Sequence, residues 1–135
     1  MSGLRFKFGR TKRLRKSAGF EAVFASGKPI RSAVLTIFAR PNGTEVSRMG
    51  TSVSRKHGGA VRRNRIKRLF REAYRLAQHE IPAGLDLVML PRSGVEYRSV
   101  RQVLDALLAM APRLRRLVRE AEAQDAPGVS EKRSR

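Results

Sequence analysis

Residues 60–79 read AVRRNRIKRLFREAYRLAQH, and seven of the twenty are Arg or Lys against one acid, Glu72. The spacing makes a folded element of what would otherwise be an unstructured basic run. Ile66, Leu69, Phe70, Ala73 and Ala77 recur at helical intervals along one face. At about 100° per residue, Asn64, Lys67, Arg68, Arg71 and Arg75 fall on the opposite face. Arg62, Arg63 and Arg65 crowd the first turns. A chain with this helix must bury one side in a core and offer the other to a polyanion. The helix start sharpens the point. Free N–H groups in a first turn favour Asp or Glu, so arginines there cost roughly a few tenths of a kcal/mol. A bound phosphate would offset that cost, because unpaired N–H groups and guanidinium forks both suit it.

The charge of the whole chain agrees. It has 30 basic and 11 acidic residues in 135, a formal charge of +19. Such a field repels itself and favours nucleic acid or an anionic membrane as partner. Of the basic residues 23 are Arg, which grips phosphate bidentately and stacks on bases, and this tilts the choice to nucleic acid. The basic helix lacks the bulky apolar face that membrane insertion needs. The longest unbroken apolar run, residues 106–111, is far too short to span a bilayer. No cysteine is present, so disulfides and Cys-based zinc sites are excluded. The start, MSGLRFKFGRTKRLRK, has no apolar segment of the secretory kind. The expectation is a soluble, cytoplasmic protein. It has one RNA-binding domain over 14–118, a basic flexible arm at 1–13 and a disordered tail at 119–135.

Along the domain, Ser17 caps a short helix over about 18–25, and Gly27 stands where a helix-ending glycine belongs. Phe20 and Phe24 lie four apart on it. Two readings stand, core packing or stacking on single-stranded bases. Residues 28–40 read as one or two strands broken near Arg31 and Ser32. Leu35 and Ile37 share one face, and Val34, Thr36 and Phe38 the other. Pro41-Asn42-Gly43 signals a turn. Residues 46–54 form a further strand with Met49, Thr51 and Val53 on one side and a nearly bare Gly50, Ser52, Ser54 face on the other. That bare face either admits another backbone closely or is an exposed edge. Arg55-Lys56-His57-Gly58-Gly59 feeds the basic helix, which Pro82 and Gly84 stop. Residues 85–90 are a strand apolar on both faces. A last helix over about 99–117 carries Val103, Leu104, Leu107, Leu108, Ala111 and Leu114, and Pro112 is expected to kink or break it.

Catalytic chemistry is hard to find. His57 and His79 lie 22 residues apart, without metal-ligand spacing. The acids are scattered, and no Walker A loop or paired-carboxylate arrangement occurs. His57 reads better as a loop residue contacting phosphate or water than as a general base. No catalytic residue and no metal ligand is assigned. The pattern is that of a binder.

Ser52 to Arg68, SVSRKHGGAVRRNRIKR, resembles the signature of the bacterial ribonuclease P protein subunit family, and Arg63-Asn64-Arg65 matches its RNR motif. The resemblance runs through most of residues 13–118. It implies an α+β fold in the order α-β-β-β-α-β-α: a four-stranded sheet sandwiched with helices. The resemblance implies a left-handed crossover through the basic helix, against the general rule. It also implies a role in removing the 5′ leader of precursor tRNA, as protein component of a ribonucleoprotein endoribonuclease. The catalytic centre and its Mg2+ ions would sit on the RNA subunit, and no protein partner is required. Carried onto this chain, Arg62, Arg63, Asn64, Arg65, Lys67, Arg68 and Arg71 would face the RNA subunit. Phe20, Phe24, Thr36, Phe38, Ser52, Arg55 and Lys56 would line a cleft for the leader, with the bare Gly50, Ser52, Ser54 face as its floor. Two departures stand out. Thr36 replaces an aromatic found in some relatives, with Phe38 on the same face as substitute, and Gly58-Gly59 replaces the commoner Gly-Asn. The alternative is a ribosomal or ribosome-assembly RNA-binding protein. A DNA-binding recognition helix and a free-standing nuclease fit less well, the first because strands and not a partner helix surround the basic helix.

Overall fold

The computed structural model describes residue 14 and residues 17–125. Its elements are α1 (Ser17–Ser26), β1 (Lys28–Arg31), β2 (Leu35–Pro41), β3 (Arg48–Thr51), α2 (Ala60–Ala77), β4 (Leu85–Pro91) and α3 (Val100–Asp125), with a 3-10 turn at Arg55–His57 leading into α2. The four strands form one sheet in the order β1-β2-β4-β3. β1 with β2 and β2 with β4 are antiparallel, and β3 with β4 is parallel. Two parallel neighbours need a long crossover, and α2 supplies it. The chain is therefore α+β in the expected element order.

Alternation along each strand sends side chains to two different layers. Leu35, Ile37 and Ala39 of β2, Met49 of β3 and Leu87 and Met89 of β4 meet Ile66 and Phe70 of α2 and Leu107 and Met110 of α3 in the larger core. On the opposite face a smaller core holds Leu14, Val23 of α1 and Val88, with Phe20, Phe38 and Leu90 against it. β4, flanked on both sides and covered on both faces, is buried at six of its seven positions.

Local chemistry sets the connections. Ser32 closes the β1–β2 turn: its hydroxyl oxygen accepts the N–H groups of Val34 and Leu35 at 3.1 Å each. The strand expected over 46–54 is shorter. Ser47 donates its hydroxyl to the Pro82 carbonyl and accepts the Leu85 N–H, which ties it to the α2–β4 connection. Asn42 donates to the Val46 carbonyl and to Asp86. Asp86 is buried and takes two hydrogen bonds from Arg48, at 2.9 and 2.7 Å. Ionic pairing thus fixes the start of β3 beside β4 where apolar contact does not.

α3 corrects two expectations. It runs unbroken through Pro112 to Asp125. Proline removes one helical N–H, so the Leu108 carbonyl loses its partner. Leu108 is 41% exposed and Pro112 is on the solvent side, so water can satisfy that carbonyl. Beyond it, burial of Leu114 and Leu117 holds the helix to the core. Residues 119–125, expected in the tail, are helical. The arm at 1–13 and residues 126–135 lie outside the described residues.

Candidate nucleic-acid interface

α2 buries Ile66, Phe70, Ala73, Tyr74 and Ala77. Tyr74 joins the buried side, and Leu69 is only partly covered. The stripe is rotated slightly from the expected one, and within it the Phe70 ring packs edge-on against Tyr97, centroids 5.4 Å apart. Outward, Val61, Asn64, Arg68 and Arg71 line a shallow basin of about 410 Å³. Arg62 and Arg65 are exposed, Arg63 and Lys67 half-buried. Two of these guanidinium groups are tethered to backbone. Arg63 Nε donates to the Gly58 carbonyl at 3.0 Å, and Arg65 Nη2 to the Arg98 carbonyl at 3.3 Å. Tethering reduces the rotamer freedom lost when a ligand binds. Arg75 pairs with Glu72 instead, and this pairing holds the Glu72 carboxyl below the usual carboxylate range. The cationic face thus fades after Arg71.

The start of α2 carries no capping side chain and no acid. Its N-cap is Gly59, with no side-chain cap hydrogen bond. Gly58 before it has φ 119°, a conformation that only glycine adopts readily. The first N–H groups of the helix therefore lie open among Arg62, Arg63 and Arg65.

Strand register builds the second surface. Arg31 stands opposite Thr36, and Thr36 opposite Leu90. Ser52, one residue past the end of β3, donates its N–H to the Met89 carbonyl at 3.0 Å and so completes the row beside β4. Directly paired residues share a face, so Arg31, Thr36, Leu90 and Ser52 form a strip across the four strands, about 14 Å from end to end at the usual strand spacing. α1 walls this strip on one side. The Phe24 ring meets Phe38 edge-on at 5.3 Å and Phe20 at 6.3 Å. Phe24 stays 40% exposed. Phe20 does not: its ring lies where a Cβ on Gly50 would be, at 2.4 Å. The bare face is therefore split. Gly50 is covered by Phe20 and by the backbone of Leu14, whose N–H donates to Met49, while Ser52 and Ser54 remain accessible. Three residues here carried no sequence signal. Arg31 and Leu90 enter the strip by register alone. Arg92 donates from Nη1 to the Ser32 carbonyl at 2.9 Å, and its N–H donates to the Tyr97 hydroxyl, which in turn donates to the Val34 carbonyl.

Residues 8–115 match the family Ribonuclease P. The chain belongs to the ribonuclease P protein family. The ribonuclease P protein component of Brevibacillus brevis is 41% identical to it over 105 residues, 77% of this chain and 83% of that protein. That of Thermotoga maritima is 38% identical over 108 residues, 75% of this chain and 92% of its own. Among solved structures, the RNase P protein from Thermotoga maritima superposes with a TM-score of 0.69 at 36% identity, covering 75% of this chain and 96% of that one. The RNase P protein of Staphylococcus aureus gives 0.66 at 26% identity, covering 78% and 96%. This is thus an RNA-binding protein component of a ribonuclease that processes tRNA.

In this ribonuclease P protein a cavity of about 490 Å³ lies beside the 3-10 turn, lined by Lys56, His57, Gly58, Arg62, Arg92 and Glu96 among others. Arg55, next to Lys56 in the 3-10 turn, is exposed, as is Lys56. Partial burial, then the charges of Lys56 and Arg62, hold the His57 imidazole below its ordinary value, so it is largely neutral near pH 7. Glu96 is engaged by Arg98 at 2.7 Å. Among the described residues no three His, Cys, Asp or Glu side chains are grouped to hold a metal ion, and no helix is long and apolar enough to cross a membrane.

Proposed function

We propose that the chain binds the catalytic RNA subunit of ribonuclease P through the outward face of α2. On this reading Arg62, Arg63, Asn64, Arg65, Lys67, Arg68 and Arg71 neutralise its phosphates. The single-stranded 5′ leader of precursor tRNA lies in the cleft lined by Phe20, Phe24, Thr36, Phe38 and Ser52, with Arg55, Lys56 and Arg92 at its α2 end. Bond cleavage belongs to the RNA, where Mg2+ supplies Lewis-acid and nucleophile-activating chemistry. This protein holds leader and RNA subunit together against their mutual repulsion, in the cytoplasm.

One observation supports this reading above the others: two differently built RNA-competent surfaces on opposite faces of one sheet. The α2 surface is a dense cationic ridge suited to a folded, phosphate-rich RNA. The α1 cleft joins a half-exposed aromatic, an apolar floor residue and cations at its end, which is the chemistry of single-strand binding. A ribosomal or ribosome-assembly role accounts for the ridge alone. Neutralising six phosphates would make affinity fall by about 10³-fold between low and moderate salt. The test is leader release by the RNA subunit at low magnesium, with and without the chain. Faster release with the chain is expected, and no gain over RNA alone overturns the reading.

A further inference from the structure

We propose that the leader, after crossing the cleft, leaves it over β1, where Arg31, Pro29 and Arg113 form a distal subsite for single-stranded RNA. The inference rests on the reading above: with the catalytic RNA bound on α2, the cleaved end of the leader lies toward α2. The strip of Arg31, Thr36, Leu90 and Ser52 then gives the strand a direction. Its β3 end meets the 3-10 turn and α2, beside the RNA subunit. Its β1 end points away, toward the 5′ end of the leader.

The β1 end is built for continuation. Pro29 stands opposite Phe38 in the register and is exposed, so it extends the Phe24–Phe38 surface outward by one strand. An exposed proline ring offers a flat apolar ledge without rotamer entropy to lose. Arg31, also exposed, shares that face with Thr36. From the other side of the sheet, Arg113 of α3 reaches round and donates from Nη2 to the Arg31 carbonyl at 3.1 Å. Lys28, paired with Ala39 in the register, lies on that same far side and is exposed. The edge is thus cationic on both faces, with the apolar ledge of Pro29 beside Arg31 on the cleft face, a pairing of stacking and phosphate contacts suited to single-stranded RNA. Charged and proline residues also guard edge strands against pairing with other chains. That role would not require a guanidinium brought from α3 to the same corner.

The test uses holoenzyme assembled from this chain and its RNA subunit, with three substrates: mature tRNA, a precursor whose leader just fills the cleft, and one with a leader twice as long. In wild type, affinity for the long leader falls more steeply with salt than for the short one. The slopes of log affinity against log salt differ by about 1.4, because each of two neutralised single-strand phosphates contributes roughly 0.7. Arg31→Ala with Arg113→Ala brings the two slopes together, and Arg31→Lys with Arg113→Lys keeps most of the difference. Thermal melting verifies that the variants are folded, and Arg113→Glu alone gives the same comparison with β1 untouched. A slope difference that survives the double alanine variant overturns the proposal. So does a wild type that binds both leaders alike yet prefers them to mature tRNA. A wild type that does not distinguish the short-leader precursor from mature tRNA instead overturns the leader cleft itself.

Discussion

At the scale of single residues, the two phenylalanines of α1 look equivalent in sequence and are not equivalent in place. Phe20 fills the space above Gly50, while Phe24 leaves 40% of its surface in solvent. Phe24→Ala should weaken binding of precursor tRNA by roughly 1–3 kcal/mol, the worth of one stacked base, with little change in melting temperature. Phe20→Ala should destabilise the fold, by less than the roughly 3–5 kcal/mol of a fully buried ring. Equal losses of stability from the two variants would contradict this division. The helical spacing put both rings on one side of α1, but which of them meets a glycine depends on how α1 crosses β3, and no local pattern carries that. His57 gives a pH-dependent expectation. Its folded-state value is depressed, so its contribution to stability is present above the ordinary imidazole value and is lost as pH falls through the folded one. A phosphate entering the cavity with Lys56, Arg62 and Arg92 favours the imidazolium, so binding takes up a proton. RNA affinity should therefore rise as pH drops from about 7.5 to 6, and His57→Gln should flatten that rise. Binding isotherms at several pH values, with an NMR titration of the imidazole, check it.

Among the elements, α2 shows how function and stability compete. Its N-cap, Gly59, has ordinary backbone angles, φ −74° and ψ −179°, and a Cβ there would meet nothing within 4 Å. A capping side chain would fit, and Gly59→Asp or Gly59→Ser should each stabilise the free protein by up to a few tenths of a kcal/mol, the usual gain over glycine at this position. Only Asp places a carboxylate among Arg62, Arg63 and Arg65, where an RNA phosphate is proposed. Gly59→Asp should therefore melt no lower than wild type yet bind the RNA subunit more weakly, with Gly59→Ser close to wild type in binding. If Asp binds as tightly as Ser, the helix start is not a phosphate site. The extent of α2 was legible because 18 residues repeat one pattern. β3 was not: Ser47 and Asn42 bond to segments some 35 to 44 positions away in sequence, and those bonds hold the residues before Arg48 out of the strand. The parallel pairing of β3 with β4, and with it the strip of Arg31, Thr36, Leu90 and Ser52, is also long-range. A reading of the strands one at a time puts Leu90 in a buried run and Arg31 at a break, and neither looks like part of a site. The course of α3 through Pro112 depended on which side of the helix faced water, again a tertiary matter.

For the whole molecule, the decisive property is that one sheet separates two cationic surfaces. A charge of +19 concentrated on one face would attract RNA without sorting it. Cations placed both on the α2 ridge and at the end of the α1 cleft can engage a folded RNA and a single strand together. Separated sites without shared contacts act independently, to within about 0.3–0.5 kcal/mol. Arg68→Ala with Arg71→Ala should therefore lower affinity for the RNA subunit while leaving the preference for precursor over mature tRNA in the assembled complex. Phe24→Ala should do the reverse. Combining all three should add the two losses in a double-mutant cycle measured at saturating RNA subunit. A coupling well above about 0.5 kcal/mol would mean that ridge and cleft grip the same stretch of RNA. In that case the surfaces would work as one continuous groove, and the direction assigned to the leader across β1 would have to be abandoned.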